Sequence, residues 1–332
     1  MNDLAATIPP RRAVLVLGAN GRFGAAAAQA FAAAGWRVFA QVRRAPTATG
    51  RCIEALAVPI TDAAALAHAA AGASVVVHAV NPIYTRWDEE AMPLLQAGLG
   101  VAKRLGAHFM LPGNVYNFGA RMPPVLRKDT PQHPTTRKGA QRVAMEAAIA
   151  RACAEGSIRG TVIRAGDFFG GGTGSWLDLV IAKSIRRGRL VYPGPMGIAH
   201  AWAYLPDLAQ AFVAVADRGA AGFRTLHFSG HTLTGAELLA GLEHAGVELG
   251  LAPGGGWRHG GMPWGLIRAV GAVYPLWREL ARMAYLWRVP HALDGQRLAA
   301  LPGVRSTPLP EALRRSLVEL GLAPVDRTVA TA

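Results

Sequence analysis

AVLVLGANGRFGAAAAQAFAAAG, residues 13–35, decides how this chain is read. Ala13 to Leu17 form a short apolar run that ends at Gly18 and reads as a buried strand. The Ala-rich stretch from Phe23 to Ala34 has high helix propensity, and Gly35 stops it. Residues 36–42, WRVFAQV, read as a second strand, so the segment is one β-α-β unit. Gly18, Gly21 and Gly24 stand between the first strand and the helix, where a dinucleotide turn needs them. The first permits the tight turn, the second lets the backbone approach a pyrophosphate, and the third lets helix pack on strand, with the helix N-terminus facing the negative charge. Asn20, Arg22 and Phe23 complete the turn, and these six residues are candidate cofactor contacts.

The alternation continues outward. Residues 53–58 read as a strand, 62–71 as a helix after Asp62, 74–79 (SVVVHA) as a buried strand ending at Ala79, 88–105 as a helix and 107–111 as a strand. A long helix over 137–154 leads to a strand at 160–165. The expected fold class is α/β, a Rossmann-type doubly wound parallel sheet with a smaller C-terminal substrate lobe. Residues 12–165 are assigned to the dinucleotide-binding core and 166–320 to a mixed region that completes the sheet and forms the lobe, with tails at 1–11 and 321–332. Beyond the Gly-rich GGGTGS at 170–175, helices are expected at 176–187 and 206–217, a loop around 192–200, a strand at 223–228, and a helix opened by Thr234 with Glu237 at capping-box spacing. The Trp-rich stretch 264–288 reads as a helix pair over the pocket rather than a membrane-surface helix, because Pro275 interrupts it and Arg268, Arg278 and Arg282 recur. A last helix starts around Pro310.

Composition bounds the function classes. The chain has 332 residues, 51% of them apolar, and a formal charge of +14. That length can bury a sizeable core, and disorder is excluded as the default. Residues 1–12 carry no apolar leader, and no charge-free stretch of about 18 apolar residues occurs, so a soluble cytoplasmic protein is expected. Cys52 and Cys153 have no metal-ligand or redox spacing around them and read as reduced, with no metal site. The basic residues are scattered and lack interleaved aromatics. Nucleic-acid binding therefore rests on charge alone, and no nucleic-acid or membrane partner is expected. The charge suits a small-molecule substrate, an anionic one included, and a homodimer is compatible with the sequence.

The end of the second strand discriminates between cofactors, since an acidic residue there would hydrogen-bond a ribose 2′-hydroxyl whereas arginine would meet a 2′-phosphate. The sequence there is Gln41-Val42-Arg43-Arg44. NADP is expected over NAD, with Arg43 and Arg44 on the phosphate and Arg22 assisting.

GANGRFG at 18–24, Asp62, VVVHAVNP at 75–82, NVYNFG at 114–119, RKGAQRVAMEAA at 137–148, VIRAGDFFGGG at 162–172, AYLPDLAQAF at 203–212 and STPLPEAL at 306–313 occur in the order found in extended short-chain dehydrogenase/reductases. The chain resembles that superfamily's NAD-dependent epimerase/dehydratase-like branch over about 12–320. The resemblance implies hydride transfer with a nicotinamide cofactor, a catalytic Ser or Thr after the fifth strand, and a Tyr four residues before a Lys. Lys138 matches the lysine and is expected to hydrogen-bond the nicotinamide ribose. Pro112 and Pro134 occupy the two hydroxyl positions, and Pro59 stands where an acidic residue commonly contacts the adenine. By this resemblance the chain is an atypical member.

Other polar groups lie where open parallel sheets place ligands, beyond the carboxyl ends of their strands. Tyr116 is the candidate proton donor, with Lys138 lowering its pKa and Asn114 polarising the substrate oxygen. Asn81, Tyr84, Asp167, Phe168 and His200 are candidate substrate contacts, with Trp202 and Tyr204 as further pocket residues. Asp207 reads as a helix N-cap. Two function classes follow: an NAD(P)-dependent oxidoreductase or epimerase/dehydratase-like enzyme acting on a hydroxyl or carbonyl, and a non-catalytic dinucleotide-binding sensor on the same fold. The two prolines argue for the second.

Overall fold

The computed structural model describes residues 12–43 and 52–322. In chain order the elements are β1 (Ala13–Leu17), α1 (Arg22–Ala33), β2 (Arg37–Gln41), β3 (Ile53–Leu56), α2 (Ala63–Ala69), β4 (Ala73–His78), α3 (Trp87–Leu105), β5 (His108–Gly113), β6 (Val125–Leu126), α4 (Arg137–Ala154), β7 (Arg159–Arg164), β8 (Asp167–Phe169), β9 (Arg189–Tyr192), β10 (His200–Tyr204), α5 (Leu205–Arg218), β11 (Phe223–His227), β12 (His231–Leu233), α6 (Gly235–Glu248), β13 (Arg258–Gly261), α7 (Trp264–Val270), α8 (Pro275–Met283), β14 (Ala292–Leu293), α9 (Gln296–Ala299) and α10 (Leu309–Glu319).

Seven strands form one sheet in the order β11-β7-β5-β4-β1-β2-β3, every neighbouring pair parallel. All five β1 residues are buried, as expected of a strand covered on both faces. The chain crosses from one half of the sheet to the other between β1 and β4, and such a switch point opens a crevice at the strands' carboxyl ends. Helix α1 buries Phe23, Gly24, Ala27, Ala28 and Phe31, an i, i+4 stripe that packs on the same core cluster as α5. A separate core of Leu177, Ile181, Ile185, Leu190, Tyr192, Trp202, Leu239 and Trp287 underlies the C-terminal lobe.

Two local expectations are corrected. Residues 176–187 do not form a helix: Leu177–Ile181 make a π-helical turn and Ile185–Arg187 a 3-10 turn, with Gly188 left-handed at φ +66°. The Asp178 carboxylate takes the Gly174 and Ser175 amides, so the segment starts as a capped turn on the Gly-rich loop. Asp207 is not an N-cap. The helix starts two residues earlier, and its carboxylate instead accepts hydrogen bonds from the Thr307 amide and hydroxyl, both at 2.7 Å, tying α5 to the segment before α10. The capping box of Thr234 and Glu237 is present.

Four polar side chains are buried beneath the crevice. Arg164 donates through Nε and Nη2 to the two oxygens of Glu146, at 3.0 and 2.5 Å, and Asn117 Nδ2 reaches the same carboxylate at 3.0 Å. His227 lies 3.4 Å from Arg164 Nη1 and meets the Leu126 carbonyl at 3.0 Å. This network joins α4, β7, β11 and the turn after β5.

Three other buried histidines set an acid limit on stability. Burial, reinforced by Arg142, lowers His78 to about 3; burial with Arg224 and Arg159 lowers His108 to about 4; burial with His200 lowers His291 to about 4. Each is therefore neutral in the native state at pH values where the unfolded chain, titrating near 6.5, takes up a proton. Their contribution is present above pH 6.5 and is lost progressively as pH falls toward 4, by up to about 1.4 kcal/mol per pH unit for each. Urea midpoints measured from pH 7 to pH 4 should fall, and replacing His108 by Gln should flatten that fall. An unchanged slope in that variant would show that the site does not drive it.

Candidate active site

The glycine turn meets the requirements for a dinucleotide residue by residue. Gly18 has φ +77°, a conformation L side chains rarely adopt. A Cβ on Gly24 would lie 2.2 Å from the Gly18 carbonyl oxygen, so only glycine lets α1 approach β1 this closely. A Cβ on Gly21 would meet only that oxygen, at 3.3 Å, and the space in front of the turn is open. Gly21 caps α1 without a side-chain hydrogen bond, and no acidic residue stands in the first turn, which leaves the helix N-terminus suited to an anion. Gln41, buried at the end of β2, receives the Gly18 amide on Oε1 at 3.0 Å and donates to the Val58 carbonyl at 2.9 Å, holding the turn between β2 and the loop after β3.

The other residues expected at the cofactor divide. Ala79 bonds to the Leu17 carbonyl at 2.9 Å and sits at the crevice floor. Asn20 lies exposed in the turn. Phe23 is a core residue, its ring 4.8 Å from Phe212 and 6.2 Å from Phe168, so only its backbone faces a ligand site. Phe168 packs with it in that core rather than standing as a free substrate contact. Arg43 is exposed just past β2, and Arg44 lies outside the described residues. Arg22 is engaged elsewhere. Its Nη2 and Nη1 donate to the carbonyls of Gly170 and Gly174, at 2.7 and 3.4 Å, because the Gly-rich loop runs alongside the turn. Asp62 caps α2 through the Ala65 amide at 3.0 Å, so its carboxylate has a structural task.

Beyond the carboxyl ends of β5 and β7 the site acquires its chemistry. Asn114 Oδ1 accepts from the Tyr116 amide at 3.0 Å and fixes the turn that presents the phenol; its side-chain NH2 is the group left for a ligand. The Gly139 position on α4 abuts the Tyr116 carbonyl, 2.4 Å from where a Cβ would lie, so helix and turn are in contact. Tyr84, in the 3-10 turn Tyr84–Arg86, lies close enough to Tyr116 for each phenol to influence the other's ionisation. Asn81 lies exposed on the loop before it.

Lys138 departs from its expected part in tuning the phenol. It is buried and ion-paired at 2.7 Å with Glu279 of α8, its ammonium 4.5 Å from the centre of the Tyr84 ring. The Tyr116 phenol is raised well above its usual value, first by burial, then by Tyr84 and Asp167, and the opposing cation is Arg142. Arg142 lies one helical turn beyond Lys138, donates to the Pro112 carbonyl at 3.2 Å and packs over Trp87. Its i, i+4 spacing from Lys138 was the sequence signal for it. Glu279, 141 residues from Lys138 along the chain, had no local signal.

Asp167 and His200 do come together. Strands β8 and β10 pair, and His200 Nε2 lies 2.9 Å from Asp167 Oδ2. His200 is buried, stacked at 4.5 Å on Trp287, and edge-on to His291 at 4.6 Å, while Asp167 keeps part of its surface. Burial and then the Asp167 charge raise the phenols of Tyr192 and Tyr285, and the same charge acts on Tyr84 and Tyr116. The charge of one carboxylate thus acts on four tyrosines and on His291, while its Oδ2 pairs with His200. Trp202 and Tyr204 lie on β10 and are buried in the lobe core. The lining tyrosines 192 and 285 were not legible in the sequence, because each comes from a short segment brought in by the lobe.

A model of the NAD-dependent epimerase/dehydratase family matches residues 14–228, from β1 through the crevice to the strand that closes the sheet. The chain belongs to that family. Solved structures agree on the fold. MoeE5, in complex with UDP-glucuronic acid and NAD, is 17% identical, with a TM-score of 0.70 over 92% of this chain and 98% of its own. L-threonine dehydrogenase from Clostridium difficile is 17% identical, with a TM-score of 0.69 over 94% and 98%. WbmH of Bordetella bronchiseptica, in complex with NAD+, is 18% identical, with a TM-score of 0.68 over 93% and 98%. No curated protein matches the sequence. Pro112 lies in β5 and Pro134 just before α4, and among the described residues no group of three potential metal ligands occurs.

Proposed function

We propose that this chain is an NADP(H)-dependent enzyme that acts on a hydroxyl or carbonyl of a small metabolite, as an oxidoreductase or through a transient keto form as an epimerase or dehydratase. The observation that carries the reading is the convergence of Tyr116, Tyr84 and the Asp167–His200 pair beyond β5 and β7, beside a glycine turn built to take a pyrophosphate. The nicotinamide, when bound, supplies or receives the hydride. The chain's own residues handle the proton. Tyr116 is protonated at neutral pH as any phenol is; burial opposes loss of that proton, and Arg142 beside it offsets part of that cost by stabilising the phenolate left when the proton goes to a substrate oxygen. Asn114 offers its NH2 to the same oxygen.

NADP is favoured because Arg43 stands exposed at the end of β2 and Gln41 is already engaged by Gly18 and Val58. Replacing Arg43 and Arg44 together by Ala should weaken NADPH about tenfold or more, the scale of a charge-assisted phosphate contact, and leave NADH nearly unchanged. Titration of both cofactors decides this, and equal losses would overturn the assignment.

The sensor reading is supported by one observation, the Lys138–Glu279 pair, which occupies the lysine that family resemblance places at the ribose. Turnover separates the two. A panel of sugars, ketones and aldehydes should include at least one compound that drives NADPH oxidation; tight NADPH binding with no oxidation across the panel would favour the sensor.

A further inference from the structure

The lobe carries an apolar tip that the proposed chemistry does not use. Between α7 and α8 the chain runs through Ala272, Val273, Tyr274, Pro275 and Leu276, and all five are exposed. Val273 is 79% exposed, Tyr274 62% and Leu276 47%, and Leu266 on α7 is 55% exposed. The inner faces of the same helices are committed, since Trp264 and Ile267 pack in the lobe core and Met283 beneath the site. The tip is therefore a protrusion with buried roots.

Its surroundings are cationic. Arg268, Arg278, Arg282 and Arg288 are exposed on or just after these two helices. The acidic residue among them, Glu279, is taken up by Lys138 and Arg282, at 2.7 and 2.5 Å. An apolar turn with a tyrosine at its apex and arginines around it has the chemistry of a segment that sits at the headgroup level of a bilayer, with Val273 and Leu276 below it and guanidinium groups on the phosphates.

We propose that the α7–α8 tip docks this protein on an anionic lipid surface. A second copy of the chain fits the tip less well, because a symmetric contact would bring the four arginines against their own kind, on a chain whose formal charge is +14. No helix among the described residues is long and apolar enough to cross a membrane, so the contact is peripheral. Docking would also bring the candidate active site close to the lipid, since α8 contributes Glu279 to it.

The experiment is co-sedimentation of the full chain with vesicles of phosphatidylcholine, with and without phosphatidylglycerol, at low and high salt. Binding is expected only with phosphatidylglycerol and should weaken as salt rises. The double variant Val273→Asp, Leu276→Asp should lower the affinity about tenfold or more, and Arg268→Gln with Arg278→Gln about twentyfold, from roughly fivefold per surface arginine. Melting temperature and NADPH affinity, which involve none of these residues, should not move. The milder Val273→Ser, Leu276→Ser pair is measured alongside, so that a folding defect in the aspartate variant does not hide the result. Failure to bind phosphatidylglycerol vesicles would overturn the proposal. So would binding that both tip variants leave unchanged, which would show diffuse attraction by the basic surface, and so would a concentration-dependent dimer in light scattering that the tip variants abolish, which would show a second copy on the tip.

Discussion

Arg164→Leu should lose about 3–5 kcal/mol of unfolding free energy. The figure follows from what remains behind. Glu146 is buried and receives Arg164 on both oxygens, and removing the guanidinium leaves a carboxylate whose other donor is the Asn117 amide. Burial then disfavours its charge, and either a proton is taken up or water enters. The arginine also packs over the Phe118 ring, 5.1 Å from its centre, so the leucine must refill that space. Glu146→Leu added to Arg164→Leu should recover a large part of the loss, because a buried ion pair replaced as a unit by apolar residues is often near neutral. Urea unfolding of the three variants checks this. A loss below about 1 kcal/mol in the single variant would mean that the pair is solvated and does not hold α4 to β7.

Tyr116→Phe should lower kcat about a hundredfold or more on whichever panel compound is turned over, with little change in NADPH affinity. The phenol's only loss is one oxygen. Its ring and its backbone contacts with Asn114 and Gly139 remain, so melting temperature should stay near the parent value. Tyr84 stands beside it and could carry part of the proton transfer, which makes Tyr84→Phe the necessary companion. Lys138→Ala is expected to damage both kcat and cofactor affinity, and to lower melting temperature as well, since it leaves the Glu279 carboxylate of α8 with Arg282 as its remaining cation. Normal kcat in folded Tyr116→Phe would eliminate Tyr116 as the acid and leave the proton to the Asp167–His200 pair.

What could be read in the sequence was what local physics writes there. The apolar run before Gly18, the alanine stripe of α1 and the Thr136-capped helix over Arg137–Ala154 were legible because each element's period, cap and stop lie within its own residues. The three-glycine turn was legible for the same reason. Strands β8, β9, β10 and β12 were not. They are three to five residues long and are held by partners thirty or more residues away in the case of β8 and β10, so no periodicity marks them. The site followed that divide. Tyr116 and Asp167 could be suspected from their places after strands, and His200 as a pocket residue at the end of an expected loop, but the fate of Lys138 depended on Glu279, far along the chain. Arg142 needed the helix register to be placed in three dimensions before its relation to Tyr116 was visible. Phe168 looked like a substrate contact because it neighbours Asp167, yet in β8 successive side chains face opposite ways and the core took it.

On the proposed function, Arg22 links the nucleotide half of the site to the metabolite half. It stands inside the glycine turn yet holds the carbonyls of Gly170 and Gly174, in the loop that leads from the sheet into the lobe. A nucleotide settling in the turn and a metabolite settling under the lobe therefore act on one shared guanidinium. Whatever factor the first ligand applies to the affinity of the second, the second must apply to the first, because the coupling free energy belongs to the pair. Arg22→Ala should then weaken that reciprocal effect, which cofactor titrations with and without a turned-over metabolite would read.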